Sequence, residues 1–174
     1  MELDYEKYIP KNFPDKSRTW IYQSNRSFTH AEENEIKEFL AEFIVGWNTH
    51  GNEVSGFGQL FYNRFIVLMA DETKFGVSGC STDSSVRMIK QIEKKFDVQL
   101  LDRLMPALII DNEVRVMNVP AVKKAFEENS ISKNTLYFNN MVLNKKEFCE
   151  EWLLTLEEGW LGKKLNLDVQ SIKF

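Results

Sequence analysis

Apolar residues recur along the chain at a helical spacing in two long segments. In the first segment, Thr29 and Glu32 form a capping box ahead of a predicted helix, which Gly51 is expected to close. Its apolar stripe consists of Ile36, Phe39, Leu40, Phe43 and Trp47. The second helix is predicted from about Asp83 to Phe96. Each helix therefore has one face to bury against a sheet.

Strand segments separate and follow these helices. The first is predicted at residues 20–23, and a hairpin is predicted from residues 54–62 and 64–71, turning near Asn63. Residues 65–70 form an uninterrupted apolar run without polar alternation. Both faces of that strand are therefore expected to be covered.

The second half of the chain predicts shorter elements. Residues 107–110 and 114–116 flank a hairpin turn, and Pro120 fits the first turn of a short helix. A second hairpin is predicted from residues 136–138 and 141–143, on either side of the turn formers Asn139 and Asn140.

A last helix is predicted after this hairpin. Asn144 can cap it, and its apolar positions include Phe148 and Trp152. Gly159 is placed to stop it.

These elements predict an α+β fold. After an irregular lead-in at residues 1–18, residues 19–174 are predicted to form a single domain with a mostly antiparallel sheet and helices packed on one face. The first six elements follow the ferredoxin-like order β-α-β-β-α-β, with a hairpin and a helix added at the C-terminal end.

Composition narrows the classes of function. The chain has 174 residues, a formal net charge of -4 and scattered Lys and Arg, which disfavours nucleic-acid binding. No apolar run is long enough for membrane insertion, and the N-terminus does not resemble a signal peptide. Two distant cysteines do not indicate a disulfide framework, so a cytoplasmic location with reduced thiols is expected.

The loop at residues 76–85 is the best candidate site. It places Cys80 and Ser81 just before the second predicted helix, and Asp83 and Ser84 at the start of that helix, whose positive dipole end favours a nucleophilic thiolate or a bound carboxylate or phosphate. The alternative is a capping loop, in which Asp83 or Thr82 satisfies amide donors and Cys80 is a small buried residue.

Two kinds of partner residue could complete such a site. His50, expected at the C-terminus of the first helix, could act as a base for Cys80, and the alternative is a surface histidine. Arg64 and Arg26, together with Arg87, could converge on the loop and bind an anion, and each could instead form a surface ion pair.

The sequence predicts neither a cofactor nor a metal site. Gly76 and Gly79 lack the spacing and the following Lys of a nucleotide-binding phosphate loop. The cysteines and histidines show no recurrent ligand spacing, and Cys149 falls among apolar residues at helical spacing.

Four segments together resemble an uncharacterised bacterial protein family whose members are sometimes automatically labelled "ABC transporter ATPase". The segments are residues 20–23, 62–65, 78–86 and 138–140, and the Ser78-Gly79-Cys80 stretch is the most distinctive. The resemblance implies a stand-alone cytoplasmic protein and brings no catalytic residue. The missing phosphate loop conflicts with the ATPase label.

Two functions remain open from the sequence. The first is a binding or interaction domain for a small anionic ligand, held at the Cys80 loop, or for a protein partner. The second is a cysteine-dependent enzyme, a hydrolase or thiol transferase, with Cys80 as the nucleophile and His50 as the base.

Overall fold

The computed structural model describes residues 2–166, so positions 167–174 of the predicted domain lie outside the described residues. Within the described part, all strand pairs are antiparallel, and helices alternate with groups of strands along the chain. The predicted α+β class with antiparallel sheets is confirmed.

The chain divides into two compact units. The larger unit consists of Glu2–Asp102 and Val142–Cys149, and the smaller unit consists of Arg103–Met141 and the described residues from Glu150 onward. The elements of the first stretch are β1 (Arg18–Gln23), α1 (His30–Gly46), β2 (Asn48–Thr49), β3 (Asn52–Glu53), β4 (Ser55–Phe61), β5 (Phe65–Asp71) and α2 (Gly79–Phe96). The later elements are β6 (Ala107–Ile110), β7 (Glu113–Val116), α3 (Val119–Glu127), β8 (Leu136–Phe138), α4 (Lys145–Glu151), β9 (Leu153–Thr155) and α5 (Trp160–Lys164).

The larger unit is built around β5. This strand lies between β1 and β4 and is antiparallel to both. Each side chain of residues 65–70 has 0% of its surface exposed, as the uninterrupted apolar run predicts. Because neighbouring side chains on a strand point to opposite faces, this burial requires cover on both sides of the sheet.

Helices α1 and α2 cover one face. The buried residues of this core include Ile36 and Leu40 from α1, Met88, Ile89, Ile92 and Phe96 from α2, and Tyr22, Leu60, Ile66 and Leu68 from the sheet. The helix positions follow the three- and four-residue spacing of one helix face. The prediction of helices packed on one face of the sheet is therefore confirmed.

Aromatic residues from the two ends of the unit's sequence cover the opposite face. The ring of Phe61 lies 5.9 Å from that of Phe148 in α4. The ring of Tyr5 packs edge-on against Phe148 at 5.3 Å, and its hydroxyl donates a hydrogen bond to the Phe148 carbonyl. The lead-in is irregular apart from a short 3-10 helix (Glu6–Tyr8), and its buried side chains make it part of the larger unit's core.

The ferredoxin-like order holds for the first three long strands. Their arrangement, β1-β5-β4, places the third strand between the first and the second. The expected fourth strand, β6, instead belongs to the sheet of the smaller unit, whose order is β7-β6-β8-β9. The β6–β7 hairpin forms as predicted, with Asp111 and Asn112 at positive φ in its turn.

The predicted hairpin of residues 136–138 and 141–143 is wrong. β8 pairs with β6 and β9, while residues 141–143 form no strand. Asn139 and Asn140 form hydrogen bonds with Trp152 instead. The backbone amide of Asn139 donates to the Trp152 carbonyl at 2.6 Å, and the indole Nε1 of Trp152 donates to Asn140 Oδ1 at 3.0 Å. Met141 and Leu143, the apolar residues that suggested a strand, are exposed.

The last predicted helix is interrupted. Asn144 caps α4 as expected, accepting a hydrogen bond from the Glu147 amide at 2.9 Å, but α4 ends at Glu151 and β9 follows. Gly159 does not stop a helix; it is the N-cap of α5. A Cβ atom at this glycine would lie 2.6 Å or less from several atoms of the Tyr137 ring system.

We expect Gly159→Ala to lower the free energy of unfolding by about 1–3 kcal/mol, because the added methyl group overlaps the fully buried Tyr137. Gly76→Ala is the matched control, since no atom outside its chain neighbours lies within 4 Å of a Cβ atom there. Urea unfolding of both variants measures the difference. Equal destabilisation by the two substitutions would contradict the close approach at Gly159.

Candidate functional site

The Cys80 segment is the first turn of α2. The helix begins at Gly79 with Ser78 as its N-cap, whose side chain accepts a hydrogen bond from the Ser81 amide at 3.2 Å. The predicted start near Asp83, capped by Asp83 or Thr82, is therefore wrong. Cys80 and Ser81 lie in the helix rather than in a loop ahead of it, and the Cys80 side chain is exposed rather than buried.

Ser81 fixes this turn to the segment that follows α1. It is 1% exposed, and its hydroxyl donates a hydrogen bond to the Asn48 carbonyl at 2.7 Å. Its own carbonyl accepts a hydrogen bond from Trp47 Nε1 at 3.0 Å. The side chain of Ser81 therefore holds the turn in place and is directed into the fold.

His50 owes its position to a two-residue hairpin turn. α1 ends at Gly46, and His50 and Gly51 follow between β2 and β3 with φ angles of 50° and 83°. Positive φ at both central residues is typical of the tight turns that join antiparallel strands. Three expectations about the end of α1 are therefore wrong. Gly51 does not close the helix, and His50 does not lie at its C-terminus. Trp47 lies just beyond the last residue of α1 and is not part of its apolar stripe.

Cys80 and His50 line the same cavity, which we call the α1–α2 cavity. It has a volume of about 590 Å³ and lies between the C-terminal half of α1 and the N-terminal half of α2. Its polar lining residues are Glu42, Asn48, His50, Cys80, Ser84, Arg87 and Gln91, and the others are Phe39, Phe43, Gly46 and Met88. The cavity thus combines aromatic surface with a few polar groups, as small-molecule sites do.

The lining residues include several that the sequence reading did not assign to a site. Phe39 and Phe43 were expected in the buried stripe of α1, yet both are only partly buried. On α2, positions 80, 84, 87, 88 and 91 follow helical spacing, which places them on one side of the helix. The sequence shows this spacing, but it does not show that α1 lies opposite these residues.

The remaining candidates near the turn contribute less to the cavity. The Ser84 hydroxyl lines it but donates a hydrogen bond to the Ser81 carbonyl at 2.7 Å. Asp83 is exposed and is not among the described residues that line the cavity. The first turn of α2, which contains Cys80, has no acidic residue. The positive end of the helix dipole is therefore not neutralised by a carboxylate in that turn.

Arg26 lies at the other end of α2. Its guanidinium donates to both carboxylate oxygens of Glu32 at 2.8 Å and to the Phe96 carbonyl at 2.5 Å. Sixteen residues of helix separate Phe96 from Cys80, which corresponds to about 24 Å. The structure therefore does not bring Arg26 to the Cys80 turn.

Arg64 braces the connection between β1 and α1. It is 7% exposed, and it donates to the Ser24 carbonyl at 3.0 Å and to Ser27 Oγ at 2.8 Å. Burial lowers the pKa of its guanidinium. Its hydrogen bonds place it with the segment that carries Arg26, away from the cavity, so Arg87 is the arginine that lines the cavity together with Cys80 and His50.

Two further observations concern the described residues only. Between residues 2 and 166, no group of three or more His, Cys, Asp and Glu side chains is arranged to hold a metal ion. None of the helices in this range is both long and apolar enough to span a bilayer.

We expect the Arg26–Glu32 pair to stabilise the protein at neutral pH and to lose this effect in acid. Hydrogen bonding to Arg26, above all, lowers the pKa of Glu32 to about 2 from an unperturbed 4.5. A depressed carboxyl pKa contributes stability that is complete above the unfolded value and declines as the pH falls toward 2. Because the pair is partly solvated, we expect a loss on the order of 1 kcal/mol.

Unfolding of the wild type and of Glu32→Gln between pH 6 and about pH 3 tests this prediction. The variant should be less stable at pH 6, and the difference should narrow in acid. Glu38→Gln, at an exposed position of α1, is the control and should follow the wild type. A constant difference between Glu32→Gln and the wild type across the range would contradict the expected linkage.

Comparison of this chain with protein-family models, with characterised proteins and with solved structures gave no match.

Proposed function

We propose that the protein is a binding domain that takes a small anionic molecule with an apolar portion into the α1–α2 cavity. The observation that carries the proposal is the shared cavity itself: Cys80, His50 and Arg87 line it together with aromatic side chains. A volume of about 590 Å³ is within the range of small-molecule sites.

Charge supports an anionic ligand. Arg87 provides a planar guanidinium, which binds carboxylates and phosphates through paired hydrogen bonds. The positive end of the α2 dipole lies beside Cys80, and the first turn of α2 carries no acidic residue. Glu42 is the one acidic residue among the described lining residues, and it belongs to α1. The acidic group of the ligand is therefore expected on the α2 side.

Shape and surface support an apolar portion. Phe39, Phe43 and Met88 contribute rings and a thioether to the wall, and all three are large side chains. Burial of apolar ligand surface against them supplies binding free energy of roughly 25 cal/mol per Å². A short-chain or aromatic carboxylate matches this lining better than an inorganic anion does.

We expect hexanoate, benzoate or phenyl phosphate to raise the melting temperature. At ten times the dissociation constant, binding adds about 1.4 kcal/mol to the free energy of unfolding, or about 3–6 °C for a chain of this size. Hexanol and benzyl alcohol, which lack the charge, should have a much smaller effect. Differential scanning fluorimetry at constant ionic strength measures these shifts.

Two variants distinguish binding in the cavity from binding elsewhere. Arg87→Gln should remove most of the anion-dependent shift, while Lys90→Gln, an exposed position of α2 outside the cavity lining, should retain it. The same shift in both variants, or none in the wild type across all the anions, would exclude this site.

The second candidate function is cysteine-dependent catalysis, favoured by one observation. Exposed Cys80 and His50 line a common cavity, and a cysteine nucleophile needs a base within hydrogen-bond reach. In this reaction the Cys80 sulfur would form a bond to a carbonyl carbon of the ligand, while the thiol proton passes to His50 and the π electron pair of the C=O bond moves onto its oxygen. Both enzyme activities that the sequence left open, hydrolase and thiol transferase, depend on the pair Cys80 and His50.

We expect His50→Gln to slow alkylation of Cys80 by iodoacetamide at pH 7 by at least about tenfold if the two side chains act as a pair. His30→Gln is the matched control, since His30 lies in the first turn of α1 beside Glu33 and outside the cavity lining. Mass spectrometry of the labelled peptides gives the rate at Cys80 separately from that at Cys149. Equal rates in the wild type and in both variants would leave binding as the function of the cavity.

A further inference from the structure

The two helices that wall the α1–α2 cavity are antiparallel. The end of α1 meets the start of α2 through the hydrogen bond that Trp47 Nε1 donates to the Ser81 carbonyl at 3.0 Å. Toward the other end of the helix pair, a carboxylate oxygen of Glu35 in α1 lies 2.5 Å from the ammonium of Lys95 in the last turn of α2. The ion pair therefore gives a fixed point from which facing residues are counted.

Glu42 and Arg87 lie at the same level of these helices, on opposite walls of the cavity. Two helical turns, about seven residues, lead from Glu35 along α1 to Glu42. Two turns back along α2 lead from Lys95 to Met88 and its neighbour Arg87. Both charged residues line the cavity, and both side chains are exposed. A molecule that enters between the helices therefore meets both charges.

Glu42 and Arg87 do not pair with each other. Within the described part of the chain, neither side chain forms an ion pair or a hydrogen bond, so their charged atoms lie more than 4.0 Å apart. Glu35 and Lys95, on the same two helices, close this distance directly. At the level of Glu42 and Arg87, the helices instead leave space between two opposite charges.

The helix dipoles divide the charge between the walls in the same way. α1 ends at Gly46, which lines the cavity, and the last turn of α1 has no basic residue. The negative end of its dipole therefore lies at the cavity without a cation from its own helix, and it disfavours the carboxylate of Glu42 one turn earlier. The start of α2 contributes a positive dipole end. The α1 wall thus favours a cation, and the α2 wall favours an anion.

We propose that the ligand of the α1–α2 cavity is an amino acid with an apolar side chain. Glu42 binds its ammonium group, and Arg87 binds its carboxylate. The apolar side chain packs against Phe39, Phe43 and Met88, which supply the apolar surface of the cavity. This inference rests on the binding function proposed for the cavity, and it specifies the chemical class of the ligand.

A zwitterion fits this arrangement of charges better than a simple anion does. A simple carboxylate bound to Arg87 faces the like charge of Glu42 across the cavity, and like charges repel. An ammonium group next to the carboxylate brings three N–H donors, which the Glu42 carboxylate accepts. The guanidinium of Arg87 binds the ligand carboxylate through two parallel hydrogen bonds. Every charge of the ligand and of these two residues is then paired.

Titration calorimetry of the full chain with three related molecules tests the proposal. L-phenylalanine carries both charged groups, hydrocinnamate lacks the ammonium group, and phenylalaninamide lacks the carboxylate. Near pH 6 the amines are charged. At constant ionic strength, we expect L-phenylalanine to bind about three- to tenfold more tightly than hydrocinnamate, since the added ion pair is partly solvated. Phenylalaninamide should bind more weakly than L-phenylalanine by at least a similar factor.

Glu42→Gln separates the ammonium contact from the rest of the site. It should remove the preference for L-phenylalanine over hydrocinnamate and leave the affinity for hydrocinnamate equal or higher, because a repulsive charge is lost. Glu38→Gln is the matched control on α1, since Glu38 is exposed one turn earlier and lies outside the cavity lining. It should keep the wild-type preference. Arg87→Gln should weaken the binding of both acids.

Thermal unfolding without ligand tests whether the two residues pair with each other in solution. The changes in melting temperature of Glu42→Gln and Arg87→Gln should add in the double variant, because independent sites have additive effects. A double variant whose change is clearly smaller than the sum would overturn the proposal, since the two charges would then already be paired.

The outcomes distinguish this inference from the binding function on which it rests. Hydrocinnamate that binds through Arg87 while L-phenylalanine binds no more tightly would overturn the amino-acid ligand and leave anion binding in place. A preference that survives in Glu42→Gln would have the same meaning. Phenylalaninamide that binds as well as L-phenylalanine would also overturn the inference, because a peptide N-terminus would then suffice. If none of the acids binds to the wild type, the binding function and the inference both fail.

Discussion

The burial of β5 is the constraint on which the larger unit depends. A strand whose six apolar residues are all fully buried needs cover on both faces, and a chain of this length has few elements to supply it. The two long helices cover one face. The other face is covered by Tyr5 and Phe148, residues far apart in sequence that are joined by a ring contact and a hydrogen bond. The sheet is therefore closed only when both ends of the unit's sequence are in place.

Placing both helices on one face also creates the candidate site. α1 and α2 share the core near their buried stripes and leave a cavity where their polar and aromatic flanks face each other. The contacts of Trp47 and Ser81 fix the end of one helix relative to the start of the other. The geometry of the cavity is thus set by the fold's own hydrogen bonds, and a ligand would meet a wall that already exists.

Local signals in the sequence were sufficient to predict the long helices and strands. They were insufficient to predict which elements contact one another in the fold. The capping box at Thr29, the apolar run of β5 and the turn at Asp111 each act through neighbours in sequence, and the structure has all three. Residues 141–143 have a strand-like pattern, but β8 pairs with β9, and the predicted turn residues Asn139 and Asn140 are hydrogen-bonded to Trp152. The placement of His50 and Cys80 on one cavity, and the separation of Arg26 from it, depend on contacts that no local pattern encodes.

The divided sequence of the larger unit has a consequence for its synthesis. Residues 142–149 cover the outer side of β1 and the ring of Phe61, yet they are translated after residues 103–141, which belong to the smaller unit. At 5–20 residues per second, the ribosome takes roughly 2–8 seconds to add that intervening stretch. During this interval the nascent sheet already has its central strand, while the outer side of β1 and the part of one face that Phe148 covers remain exposed. The interval when this chain most needs a chaperone is therefore set by the length of the smaller unit rather than by the larger unit itself.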